Sequence, residues 1–222
     1  MSIEKSSARN NALTTSDKAF SDERKAGVYQ AIHERRDMRH FRSDSIDEAV
    51  VEKLLLAAHM APSVGLMQPW RVIRIASSEV RQQLHTLVEQ ERVKTAQALG
   101  ERTDEFMQLK VQGILECAEV WVVSLMDQRE RHIFCRRTME NMDLASASCA
   151  IQNVWLAARA EGIGMGWVSI FDPSEVRQLL AMPSGSEPIA ILCLGQVDAF
   201  YQQPMLIEEG WAERGQLSDY VM

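Results

Sequence analysis

Four arginines, Arg35, Arg36, Arg39 and Arg42, fall within eight positions of a chain that is otherwise acidic. Guanidinium forks match phosphate oxygens two at a time, so a cluster of this kind can form an anion site. In a helix, Arg35 and Arg39 would lie one turn apart and converge on a single phosphate. A solvated helix end explains the same charges without any ligand, and composition leaves both readings open. Asp37 stands between Arg36 and Arg39. Beside guanidiniums its carboxylate is expected to remain an anion at neutral pH. It is then either an ion-pair partner alone or, facing a ligand, a group that orients it or accepts its proton. Ser169 lies in an apolar run between Val168 and Ile170. The expectation there is a hydroxyl on a strand at the edge of the core, bonded to backbone. No histidine is near it in sequence, so no nucleophilic triad can be argued.

Other signatures of chemistry are absent. The four cysteines, Cys117, Cys135, Cys149 and Cys193, form no C-x-x-C and have no histidine at metal spacing, so neither structural zinc nor disulfides are expected. Cys149 and Cys193 lie in apolar surroundings and read as small buried hydrophobes. The five histidines make no H-E-x-x-H, and no P-loop, G-x-S-x-G or G-x-G-x-x-G occurs.

The elements that must position these groups can be read from periodicity. Residues 1–20 read as a flexible polar tail, and 21–222 as one domain. Glu23 to Ile32 reads as a short helix leading into the arginine cluster. Asp47 precedes a helix with Val50, Val51, Leu54, Leu55 and Ala58 at spacings of three and four, ending before Pro62. APSVGLMQPW, 61–70, is a loop that feeds a strand at 71–76. From Ser78 to about Glu119 we expect two helices and a mobile polar segment, broken at Gly100 and Gly113. Val120 to Met126 is too apolar for an edge strand and must be central. The charged segment 127–141 is irregular. Asp143 to Glu161 is apolar nearly all round, as in a helix buried against a sheet or a second subunit. MGWVSIF, 165–171, reads as a strand. Asp172, Pro173 and Glu175 form a helix start, and Pro188 to Val197 a last strand. The tail from Tyr201 has too few apolar residues for a core of its own and must pack elsewhere.

Composition bounds the function. The 222 residues carry 31 acidic and 24 basic side chains, a net charge of −7, which disfavours a nucleic-acid backbone as partner. The longest charge-free helical run, Leu144 to Ala158, would rise about 22 Å, short of a hydrocarbon core. The first twenty residues have no apolar stretch resembling a secretory signal. A cytoplasmic protein that does not bind membranes is the expectation.

Taken together, RRDMRHF at 35–41, APSVGLMQPW at 61–70, AIQNVWLAARAEGIGMGWVSIF at 150–171 and IAILCLGQVD at 189–198 resemble the FMN-binding nitroreductase superfamily, in order and spacing over the chain after residue 20. Within it the match is closest to the 5,6-dimethylbenzimidazole synthases. The discriminating features are the aspartate in RRDMR, where nitroreductases commonly carry serine, and GWVSIF. The resemblance implies an α+β fold with a central, mostly antiparallel sheet flanked by helices. It also implies a homodimer with two flavin sites at the interface and the C-terminal tail packed on the partner subunit. The implied reaction takes reduced FMN and dioxygen, with no metal, to 5,6-dimethylbenzimidazole, the lower ligand of vitamin B12, and erythrose 4-phosphate.

Carried across by motif, Arg35, Arg36 and Arg39 hold the phosphate and ribityl end of FMN, with Met38 contributing backbone. Ser63 and Gln68 contact the ring or the ribityl chain, and Arg214 adds a phosphate ligand. Asp37 and Ser169 match the catalytic pair, the aspartate near the ribityl carbon that loses protons and the serine near the ring's reactive edge. Leu66 stands where many nitroreductases have a flavin-contacting asparagine. The charged segment 92–112, folded as a lid, would leave no room for a nicotinamide, and a separate flavin reductase would then supply reduced FMN. An NAD(P)H-dependent nitroreductase or flavin reductase, a flavin-binding protein without turnover, and an interaction module that binds no flavin are the alternatives.

Overall fold

A computed structural model describes residues 18–222, apart from the side chains of Phe134 and Cys135; residues 1–17 of the polar tail lie outside the described residues. The described elements run α1 (Asp22–Glu34), α2 (Glu48–His59), β1 (Trp70–Arg74), α3 (Ser78–Ala98), α4 (Thr103–Gln108), β2 (Glu119–Leu125), α5 (Ile133–Arg136), α6 (Met142–Ala160), β3 (Gly164–Val168), α7 (Pro173–Leu179), β4 (Glu187–Gly195) and α8 (Met205–Glu208). The four strands form one antiparallel sheet in the order β1-β2-β4-β3. Its register sets Val72 opposite Val123, Val122 opposite Ile191, and Trp167 opposite Leu192.

Alternation along the strands sends successive side chains to opposite faces, and both faces are covered. Trp121, Val123, Leu192 and Met165 pack with Val51 and Leu54 of α2 and Ala147, Ile151 and Val154 of α6. Val120, Val122, Ile191 and Val168 pack with Leu84 and Val88 of α3 and Val176 of α7. This double covering explains why β2 is apolar at nearly every position although the sheet is antiparallel. Beyond β3 the sheet is extended by one parallel bridge between Asp37 and Met165. The arginine cluster is therefore part of the sheet edge.

Helix α6 packs against the sheet, as expected, through Ala147, Ala150, Ile151, Val154 and Ala158, while Leu144, Ala145 and Cys149 are exposed on its other side. Two expectations are corrected. Cys149 is thus no core residue, whereas Cys193 on β4 is. The polar stretch expected to be mobile is ordered into the end of α3, α4 and a turn. Its Phe106, Leu109 and Val111 form a third small core with Ala96, against which Trp211 of the tail packs.

Asp172 begins α7 as read from the sequence, accepting from the backbone N–H of Ser174 at 2.7 Å and of Glu175 at 3.3 Å. The Ser174 hydroxyl and these two amides hold its carboxyl below the usual carboxylate range. A depressed folded-state value means that the cap stabilises fully above about pH 4 and is lost as pH falls through that lower value. Asp172→Ala is expected to lower the melting temperature at pH 6, and the difference from the parent should shrink on acidification to pH 3.

Candidate active site

Helix α1 ends at Glu34, and Arg35 already has extended backbone (φ −56°, ψ 134°). Residues 35–39 are therefore not helical, and the convergence of Arg35 and Arg39 across one turn does not occur. Residues two apart share a face in extended chain. The pattern Arg-x-Asp-x-Arg thus puts Arg35, Asp37 and Arg39 side by side along the edge of β3. The backbone N–H of Met38 donates to the carbonyl of Met165 at 2.9 Å.

Arg39 is 8% exposed. Its Nη1 and Nη2 donate to Oδ1 and Oδ2 of Asp37, each at 2.6 Å. The other hydrogens of the same nitrogens go to the carbonyls of Met38 (3.1 Å) and Trp167 (3.0 Å). All four terminal N–H groups of Arg39 are thus engaged within the protein, while its buried Nε–H has no partner among the described residues. The backbone of Met38 is engaged too. Its N–H and carbonyl bond within the protein and its side chain is 1% exposed. Arg36 donates through Nη1 to the carbonyls of His33 and Arg35, both at 2.8 Å, and through Nη2 to that of Gln202 at 2.7 Å. It ties the end of α1 to the C-terminal segment. Arg42 pairs with Asp44 at 2.8 Å on the surface.

Arg35 and Arg214 remain as cations whose guanidiniums make no hydrogen bond or ion pair among the described residues. Arg35 is half-buried and stacks over Trp155, 4.5 Å from the ring centroid. Burial holds its pKa below the ordinary guanidinium value; Asp37 opposes that, and the nearby Arg36 and Arg214 add to it. Cations crowded in this way are relieved by an anion. Trp155 is fixed by its indole N–H, which donates to the carbonyls of Arg36 (3.0 Å) and Met165 (3.1 Å).

Three cavities lie side by side along this edge, each sharing lining residues with the next. The first, about 690 Å³, is lined by Arg35, Arg36, Arg214, Pro204 and the α1 residues Tyr29 and His33. The second, about 360 Å³, shares Arg35 and Arg36 with it and adds Asp37, Gln152, Trp155 and Leu206. The third, about 180 Å³, shares Asp37 and Leu206 and continues to Phe106, Ser169, Ile170 and Trp211. Ser169 is one residue past the end of β3 and exposed, not a core-edge hydroxyl on the strand. Asp37 accepts a further hydrogen bond on Oδ1 from the backbone N–H of Trp167 at 2.9 Å, and 42% of its side chain remains exposed. Its orientation is fixed while Oδ2 carries a single protein partner. The segment 92–112 supplies Phe106, Leu109 and Val111 as a wall of the third cavity.

Two sequence-predicted contacts do not join this group. Ser63 accepts from the N–H of Gln68 at 3.0 Å, and the N–H of Val64 donates to Ser146 at 3.0 Å. Ser146 and Trp155 are two and a half turns apart on α6, about 14 Å at 1.5 Å per residue. Ser63 and Gln68 thus lie toward the opposite end of α6 from the arginines. Leu66 is 79% exposed with φ +53°, a backbone region that asparagine tolerates better than leucine. Sequence reasoning missed Trp155, Leu206 and Trp211 as lining residues. Trp155 carried a signal, an aromatic in a helix otherwise lined with alanine; the other two are tail residues without periodicity.

The arrangement suits an elongated ligand with an anion at one end and an apolar or aromatic part at the other. Among the described residues no group of three His, Cys, Asp or Glu could hold a metal, and no helix is long and apolar enough to cross a membrane.

The chain is 37% identical over 196 residues, 87% of its length and 95% of the other protein's, to a 5,6-dimethylbenzimidazole synthase of Rhodobacter capsulatus. It is 36% identical to a 5,6-dimethylbenzimidazole synthase of Rhodospirillum rubrum, over 89% of this chain and 93% of that one. Its fold matches a crystal structure of iodotyrosine deiodinase bound to FMN and 3-iodo-L-tyrosine, with a TM-score of 0.67 at 20% identity, covering 86% of this chain and 96% of that one. The nitroreductase family model matches residues 32–196, and the chain belongs to that family.

Proposed function

We propose that this edge groove takes reduced FMN as its substrate and, with dioxygen, fragments it to 5,6-dimethylbenzimidazole, erythrose 4-phosphate and a fragment carrying the rest of the pyrimidine ring. The observation that carries the reading is Asp37, fixed by Arg39 and the Trp167 amide, which lines both the cavity of Arg35 and Arg36 and the cavity of Ser169. A serine in its place would offer no anionic acceptor. The names of the two synthases, similar over nearly their whole length, support the same reading.

The residues fit the group. Arg35 and Arg214 bind the phosphate, which relieves the crowding of their own charges. The indole of Trp155 provides an aromatic surface beside the ligand. Reduced flavin, once bound, supplies the electrons that dioxygen takes. Oδ2 of Asp37 has lone pairs toward the groove and accepts a proton from the ribityl chain. Ser169 presents its hydroxyl at the ring edge. Phe106, Ile170 and Trp211 exclude water around it, which strengthens every polar contact inside.

The reading includes a homodimer. Val28, Tyr29 and Ile32 on α1 and Leu144 on α6 are exposed, and a partner's 61–70 loop would bring Ser63 and Gln68 to the flavin. The tail through Trp211 packs on its own chain, with Arg102 stacked over Trp211 at 3.5 Å. Residues 215–222, beyond Arg214, are exposed and free to reach a partner.

A separate flavin reductase supplies the reduced FMN. The test is to give the purified protein FMN and NAD(P)H in air, and in a parallel reaction chemically reduced FMN without nicotinamide. Persistent NAD(P)H in the first and loss of flavin absorbance in the second are expected. Consumption of NAD(P)H with intact flavin would instead mark a nitroreductase or flavin reductase. Ser169→Ala should bind FMN as the parent does and lower product formation about tenfold or more; unchanged yield would leave Ser169 as a lining residue only.

A further inference from the structure

We infer that Arg39 is the positioning residue for Asp37, not a ligand of the flavin phosphate, and that Gly166 is the gap in β3 that lets it act. The inference rests on the proposed reaction only for what Asp37 does once positioned. All four terminal N–H groups of Arg39 are engaged inside the protein, two on Asp37 and one each on the carbonyls of Met38 and Trp167. A bidentate fork fixes the plane of a carboxylate, which a point-charge ammonium does not.

The guanidinium reaches this position by crossing β3 at residue 166. A Cβ there would overlap the carbonyl oxygen of Met38 and lie 2.5 Å from Nη1 of Arg39. Gly166 has no left-handed backbone, so glycine serves here for space and not for conformation. Any side chain at 166 would displace the Met38 backbone together with the Arg39 guanidinium and so release Asp37 from its fixed plane.

The test uses Arg39→Lys and Gly166→Ala in the full chain, with FMN and riboflavin as the binding probes. In Arg39→Lys the affinity for FMN and its preference over riboflavin should stay within about threefold of the parent, while Gly166→Ala, whose Cβ also displaces the Met38 backbone, is read for turnover. Turnover of reduced FMN should fall about tenfold to a hundredfold with KM nearly unchanged. A merely structural role would not separate kcat from binding in this way. Loss of FMN affinity with riboflavin binding intact would make Arg39 a phosphate ligand and overturn the inference, as would full turnover in Arg39→Lys. If Gly166→Ala does not fold, Arg39→Lys decides, since it leaves the strand untouched.

A parent protein that binds FMN without consuming it would contradict the proposed reaction and not this inference. The FMN preference then still decides, together with a crystal structure of Arg39→Lys. An Asp37 carboxylate turned away from the Trp167 amide supports the inference; one held in place overturns it.

Discussion

Asp37→Asn is expected to bind FMN within about threefold of the parent and to form 5,6-dimethylbenzimidazole at least a hundredfold more slowly. Removing a positioned general base typically costs 10² to 10⁴ in rate. The amide keeps the shape of the carboxylate but carries no charge and cannot take up the proton. Stability falls as well, because Arg39 is 8% exposed and loses its anion. Breaking a fully buried pair costs about 3–5 kcal/mol. Since 42% of the Asp37 side chain is exposed, the loss should be smaller, about 1–2 kcal/mol. Thermal melts with and without FMN separate the two effects. A variant that is folded, saturated with flavin and still fully active would remove Asp37 from the chemistry.

The second large effect is on binding. Arg35→Ala should weaken FMN about tenfold to a hundredfold, as expected for loss of charge-assisted bonds worth about 1.5–3 kcal/mol, while riboflavin, which lacks the phosphate, changes little. The fold should tolerate the change. The stacking of Arg35 on Trp155 at 4.5 Å is lost, but so is its repulsion with Arg36 and Arg214. Titration at two salt concentrations gives an internal control, because the FMN affinity of the parent should fall with ionic strength more steeply than that of Arg35→Ala. Equal losses for FMN and riboflavin would mean that Arg35 shapes the groove and does not hold the phosphate.

The strands were legible because both faces of the sheet are covered. The continuous apolar run Val120 to Leu125 read as a central strand and Ile189 to Leu194 as a last strand, and β2 and β4 are the two inner strands of the sheet. Asp172 before Pro173 was legible because capping is local chemistry. The site was legible as a set of residue types and not as an arrangement. Arg35 and Arg39 at a spacing of four suggested a helix, but the spacing of two in Arg-x-Asp-x-Arg was the operative period once the bridge to Met165 made the segment extended. Whether a guanidinium turns inward or outward depends on what it meets across the chain. Arg39 meets the carbonyl of Trp167, 128 positions away, and Arg36 that of Gln202. Ser169 was placed in the core edge because its neighbours are apolar, yet β3 ends just before it and leaves its side chain in the groove. Cys149 misled for the related reason that small and apolar residues surround α6 on faces the sheet does not cover.

The most direct measurement gives the purified protein chemically reduced FMN carrying isotopic label in its dimethylbenzene ring, in air and without nicotinamide, and follows the label by chromatography and mass spectrometry. The expected result is label in 5,6-dimethylbenzimidazole as the flavin disappears, with none formed when dioxygen is withheld. Label recovered entirely in intact oxidised FMN would contradict the central claim.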